Sequence, residues 1–182
     1  MILLIVLAGF ALRLYRLGAD SLWYDETVST ALAGSPLPAL IRHTAGDIHP
    51  PGYYVLLRGW LTVAGYPTGR AGPTGNGLEF MAGFFSLFWG IILITLVYAL
   101  ARRLTGSRPA ALLAAMFTAW SPYNVWYSQE VRMYTLGAGL GVLALYTLWR
   151  AVNGPLPGPH PLPPLPRGGV GEGRSRTGSP GR

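Results

Sequence analysis

Cysteine and lysine are both absent from the 182 residues, and only seven side chains are acidic. Without cysteine there is no disulfide framework and no thiolate metal site, and the redox compartment is unreadable. All fourteen basic residues are arginine, which removes Schiff-base lysine chemistry. Charge as a whole is thin: 12% of residues are charged against 51% hydrophobic, whereas a soluble domain carries about 25% charged residues. Motifs are missing too. There is no P-loop, no paired-glycine dinucleotide fingerprint, no His-Glu-x-x-His and no Gly-x-Ser-x-Gly, so the soluble-enzyme chemistries lack support. The net charge of +7 does not point to nucleic acid, because four of the arginines fall in the last sixteen residues and others flank apolar runs. Nothing forms a basic stripe on one face, and no nucleic-acid partner is expected.

What is present is apolar sequence gathered into blocks, the pattern of an all-α integral membrane protein. About four transmembrane helices are expected, near residues 1–17, 78–101, 109–127 and 134–149. Met1 to Leu12 is an unbroken apolar run. As a helix it rises only about 18 Å against a hydrocarbon core of roughly 30 Å, so it is extended to Leu17 with Arg13 and Arg16 snorkelling. No basic residue precedes the run and no small-x-small site follows it before Trp23, which favours a first span, its start clipped or misassigned, over a signal peptide. Leu78 to Ala101 is the clearest span. Pro109 to Tyr127 is broken late by Ser121-Pro122, and Tyr134 to Trp149 is closed by Arg150.

Between the first two spans lies a loop over residues 18–77 with short amphipathic helices suited to the membrane interface. One is expected from Glu26 to Ala33, capped by Asp25 and ended by Gly34. Another starts at Pro50 and presents Tyr53, Leu57, Trp60, Leu61 and Ala64 at helical spacing. Residues 65–77 are a turn-rich connector. Residues 1–153 form one membrane module. From Gly154 to Arg182, eight prolines and eight glycines among twenty-nine residues read as a disordered tail, resembling read-through past a break in a longer gene.

Arginine placement gives an orientation. Arg102, Arg103 and Arg108 sit in a short loop, where positive charge marks the cytoplasmic side; the arginines of the long loop count for less. The long loop and the turn near Glu130 then share the opposite, extracytoplasmic face of a cell membrane. That topology gathers three polar-aromatic clusters: Ser21–Thr27, Asp47–Tyr54 and Tyr127–Tyr134.

Each cluster admits more than one role. Asp25 can cap a helix, with Glu26 favourable beside the positive helix end, or accept a proton from a hydroxyl. Trp23 and Tyr24 can offer ring faces to a sugar or sit in the interfacial aromatic belt. His49 can cap the helix that follows, donate to a phosphate, or ligate a metal with Asp47. Glu130 and Arg132 can form a mutual ion pair at a turn, or Arg132 can hold a phosphate through parallel hydrogen bonds.

Taken together and in this order, "LWYDE", "HPPGYY" and "YSQEVRMYTL" resemble the N-terminal part of multi-spanning glycosyltransferases of the C-type membrane fold. The nearest group is the bacterial family 39 enzymes, relatives of the protein O-mannosyltransferases and of the aminoarabinose transferase of lipid A. The resemblance covers roughly residues 1–152. It implies inverting transfer of a sugar from a polyprenyl-phosphate donor to a protein or lipid/glycan acceptor, on the extracytoplasmic side. It implies Asp25 as catalytic base with Glu26 as its supporting partner. Trp23, Tyr24, His49, Tyr53, Glu130 and Arg132 would line the substrate. No cofactor is implied with certainty, and a divalent metal is left open because relatives in the superfamily use one. Family members run to more spans than the four expected here, so the chain reads as a truncated copy whose independent turnover is the open question. A transporter fragment is disfavoured because the ionisable residues sit at span ends or in loops. A non-catalytic membrane assembly protein fits the spans but leaves the three clusters unexplained.

Overall fold

The computed structural model describes residues 1–66 and 77–154; the connector 67–76 and the tail 155–182 lie outside the described residues. Within them the fold is all helical: α1 (Ile2–Leu14), α2 (Tyr24–Gly34), α3 (Leu37–Ala45), α4 (Gly52–Val63), α5 (Leu78–Thr105), α6 (Arg108–Trp120), α7 (Pro122–Tyr127) and α8 (Tyr134–Asn153). Two of these, α5 and α8, are long and apolar enough to cross a membrane; α1 is apolar but shorter.

α5 is the axis of the molecule, touching α1, α4, α6, α7 and α8. Its polarity matches its helix dipole: Glu79 lies in the first turn and Arg102 and Arg103 in the last. The helix runs past Ala101 and stops at Gly106, whose positive φ of 66° ends it in the left-handed conformation. α1 runs antiparallel to α5, since Gly9 abuts Ile94 while Leu17 abuts Gly83. α8 runs parallel to α5: Thr135 Oγ1 donates to Ser86 O near one end, and the Arg103 guanidinium lies over the Tyr146 ring towards the other.

The expected first span differs from the structure. α1 ends at Leu14, Arg16 takes a positive φ of 61°, and Arg13 does not snorkel. Its side chain is fully buried between helices, for a reason given below. The expected span at 109–127 is two helices, because Ser121 turns to extended backbone and Pro122 starts α7. Proline has no N–H to continue the α6 ladder and suits a first helical position.

The loop helices pack rather than float. Leu40, Leu57 and Leu61 have no exposed surface and join Tyr53, Tyr54, Ala82, Phe85 and Val131 in one core between α2, α3, α4 and α5. α4 starts at Gly52, two residues after the proline expected to open it. Its expected face is otherwise observed, with Tyr54 added. Trp60 stacks on Phe84 with centroids 6.0 Å apart, and its indole N–H donates to Met81 O at 2.8 Å. These contacts hold the loop helices against the first turns of α5.

Candidate functional site

The site begins with how α2 starts. Trp23 is the N-cap and Glu26 the third helical residue. A glutamate there reaches back to the cap's own N–H, the reciprocal half of a capping box. Glu26 does this, with Oε2 accepting from Trp23 N at 3.1 Å. The expected cap, Asp25, is not the cap. It sits at the second helical position, where its carboxylate is free to point elsewhere.

Glu26 has a second partner. Its Oε1 accepts from Val131 N at 2.7 Å, across 105 residues of sequence. One carboxylate therefore starts α2 and anchors the turn between α7 and α8. Burial raises the Glu26 pKa above its ordinary 4.5; the two backbone bonds pull it down, the Glu130 charge pushes it up and Arg132 pulls it down.

The same turn is held from two further sides. Gln129 Nε2 donates to Arg13 O at 3.1 Å and Tyr15 O at 2.8 Å, which satisfies carbonyls at the end of α1. Ser86 Oγ on α5 donates to Arg132 O at 3.3 Å. Gly18, with φ 72°, lets the chain leave α1 directly over α5, where a Cβ would meet Phe80 backbone at 2.7 Å.

Arg132 is thereby carried to Asp25. Its Nη2 lies 3.6 Å from Asp25 Oδ2, with Arg132 almost buried and Asp25 partly exposed. That is an ion-pair contact longer than a hydrogen bond. Arg132 Nε is buried with no hydrogen-bond partner. The guanidinium also lies 5.9 Å from the Tyr134 ring centroid. Of the alternatives for Glu130 and Arg132, the mutual ion pair does not form: Glu130 Oε1 instead accepts from the Trp126 indole N–H.

From the second cluster, Tyr53 and Tyr54 feel the Arg132 charge, while His49 pairs with Asp47. The Tyr53 hydroxyl, near Ser86, is buried without a partner of normal hydrogen-bond geometry. Burial pushes its pKa far up, opposed by Ser86 and the Arg132 charge. Tyr54 is also raised by burial, and it feels Arg132 in one direction and Asp47 and Asp25 in the other. His49 Nδ1 lies 3.2 Å from Asp47 Oδ2 near the surface, with no bond to Asp25 or Arg132. Side-chain and backbone bonds from His49 and Ile48 hold Asp47 below its ordinary value. Among the described residues, no three His, Cys, Asp or Glu side chains are grouped to hold a metal ion.

Beside the pair is a cleft of about 420 Å³ lined by Trp23, Glu26, Glu79, Trp126, Gln129 and Glu130, among others. Asp25, Arg132 and the exposed Tyr24 do not line it. Sequence reasoning missed Arg13, Ser86, Ser128 and Gln129. Arg13 carried a usable signal, because a charge inside an apolar run is costly unless it has partners.

Among the described residues the chain is all helical, with two apolar helices of membrane-crossing length and buried polar groups where α2, α5 and the 128–132 turn meet, an architecture that fits an all-α membrane protein. The chain belongs to the dolichyl-phosphate-mannose-protein mannosyltransferase family, whose model matches residues 49–157. That family is one of membrane glycosyltransferases of the mannosyltransferase type. The matched stretch contains His49–Tyr54 and Tyr127–Tyr134 and begins after Asp25 and Glu26. Comparison with curated proteins and with solved structures gives no match.

Proposed function

We propose that this chain carries the base and the donor-phosphate contacts of a glycosyltransferase that uses a polyprenyl-phosphate sugar. The observation that carries the reading is the Asp25–Arg132 pair. A partly exposed carboxylate lies 3.6 Å from a nearly buried guanidinium whose Nε has no partner. A cation with spare donors beside a reachable carboxylate suits a reaction that expels a phosphate and deprotonates a hydroxyl.

The acceptor hydroxyl, on a protein or a lipid/glycan, gives its proton to Asp25. Its oxygen forms the new bond to the sugar's anomeric carbon as the carbon–phosphate-oxygen bond breaks. The electron pair leaves with the polyprenyl phosphate, and Arg132 meets the developing charge through fixed donors. Inversion at the anomeric carbon follows from a single displacement. Glu26 acts by position, fixing the helix that carries Asp25 and the turn that carries Arg132. Trp23 on the cleft wall offers a ring face to a sugar. Tyr24 is exposed and His49 half-buried, and Tyr53 backs the pair from the core.

In this reading α1, α5, α6 with α7, and α8 make four crossings of the cell membrane. The Arg102–Arg108 loop is cytoplasmic and the Asp25–Arg132 end extracytoplasmic. The test uses the full chain in lipid nanodiscs, with polyprenyl phosphate binding read by tryptophan fluorescence and mannosyl transfer by a radiolabelled donor and a hydroxyl-bearing peptide. Binding should weaken at least about tenfold in Arg132→Met, the equivalent of one charged hydrogen bond. Any transfer should vanish in Asp25→Asn. Binding indifferent to Asp25, His49 and Arg132 together would sink the reading and favour a non-catalytic assembly protein.

A further inference from the structure

Among the described residues, Arg13 is the largest fully buried side chain and it carries a charge, and the chemistry above does not use it. None of the ion pairs among the described residues includes it. Its partners are neutral. Nε donates to Ser128 Oγ at 3.0 Å, Nη1 to Gly9 O at 3.0 Å and Ala119 O at 2.9 Å, and Nη2 to Thr118 O at 3.2 Å.

The location explains the chemistry. A continuous helix would give the Thr118 carbonyl the N–H of residue 122, but that residue is proline and has none. The break at Ser121-Pro122 thus leaves carbonyls at the end of α6 without intrahelical partners, and the negative end of the α6 dipole stands in for an anion. Arg13 fills both needs. Ser128, which takes its fourth hydrogen bond, opens the turn that carries Gln129, Val131 and Arg132. Ser128 is itself pressed against α5, since a Cβ at Gly90 would lie 2.2 Å from its Oγ and 3.2 Å from Arg13 Nε.

We infer that Arg13 is a positioning residue: its guanidinium joins the broken end of α6 to Ser128 and so sets where the 128–132 turn presents Arg132 to Asp25. The inference rests on the donor-phosphate reading only for its functional consequence. The geometric part stands by itself. Lysine is a poor substitute, because one ammonium cannot reach acceptors spread over both edges and the tip of a planar fork.

The absence of cysteine permits the test. Nitroxide labels at Asp20→Cys, in the α1–α2 connector, and Tyr123→Cys, on α7, occupy exposed sites and report the spacing between these elements by pulsed electron resonance. Arg13→Met is expected to broaden the distance distribution and shift it to longer separations, with Arg13→Lys intermediate. In unlabelled protein of wild-type helix content, polyprenyl phosphate affinity should fall about tenfold in Arg13→Met, comparable to loss of one charged hydrogen bond. If Arg13→Met does not fold, Arg13→Lys decides. Unchanged distances, or shifted distances with unchanged affinity, would overturn the positioning role and leave Arg13 as a stability element. If the wild-type chain binds no polyprenyl phosphate, the donor reading fails while the distance measurement still decides the geometry.

Discussion

Replacing Glu26 by alanine and by glutamine separates two things that one carboxylate does. It accepts from the Trp23 and Val131 N–H groups at 3.1 Å and 2.7 Å, and it holds a charge out of water. Alanine removes both acceptors. An unsatisfied buried N–H costs about 1–3 kcal/mol, and relief of the buried charge offsets part of the sum, leaving a loss of about 2 kcal/mol. For a chain of this size that is roughly 4–8 °C in melting temperature, read from the intrinsic fluorescence of the tryptophans in detergent. Glutamine keeps one acceptor and removes the charge. Because burial outweighs the stabilising bonds and raises the carboxyl pKa, glutamine should melt within about 1 kcal/mol of wild type. A glutamine variant as unstable as the alanine variant would refute this reasoning, since the charge and not the acceptor geometry would then carry the contact.

The same group sets a pH dependence of known sign. A folded pKa raised above the ordinary 4.5 means the folded protein keeps a proton that the unfolded chain has released. The Glu26 contribution is therefore fully present below 4.5 and is lost as pH rises through the folded value. The melting difference between wild type and Glu26→Gln should shrink in wild type's disfavour across that window, and a difference growing in its favour would contradict the sign. Asp25→Asn should leave melting within about 1 kcal/mol, because a partly exposed carboxylate at 3.6 Å from its partner contributes little, while abolishing any transfer. Gly90→Ala should destabilise by about 1–3 kcal/mol, since its methyl would lie 2.2 Å from Ser128 Oγ and force α5 from α7. Circular-dichroism melting in detergent checks both.

Much of the bundle is legible in the sequence because its signal is local. The block Leu78–Ala101 needs no partner to be read as a span, and the Ser121-Pro122 break announces itself through the missing proline N–H. The face of α4 follows from spacing alone. What is not legible is which polar group answers which. Asp25 and Glu26 are adjacent, both acidic and both near a helix start, and only the fold decides that Glu26 takes the cap position. The partner of Arg132 proved to be Asp25, 107 positions away, rather than Glu130 two positions away. α3 went unforeseen because Leu37–Ala45 is short and follows Pro36, where an extended connector is an equally good local reading.

Arg13 shows why those polar choices matter more here than in a soluble protein. In water, apolar burial rewards nearly any compact packing of Leu and Ile faces; in a bilayer, lipid chains satisfy the same faces, so packing alone selects weakly among helix arrangements. Unpaired polar groups do select. The α6 carbonyls freed by Pro122 and the carbonyls at the end of α1 each need a donor in place of the missing intrahelical N–H. Arg13 and Gln129 supply them; Arg13 also donates to Ser128 and Gln129 lies in the turn itself, so α1 and α6 are tied to the start of the turn that Glu26 holds at Val131. Arg13 and Glu26, both buried and far apart in sequence, and the half-buried Gln129 direct their bonds to the stretch 128–132. The turn that carries Arg132 is consequently held by side chains from α1, α2 and α5, the kind of support that a group proposed to meet a phosphate needs.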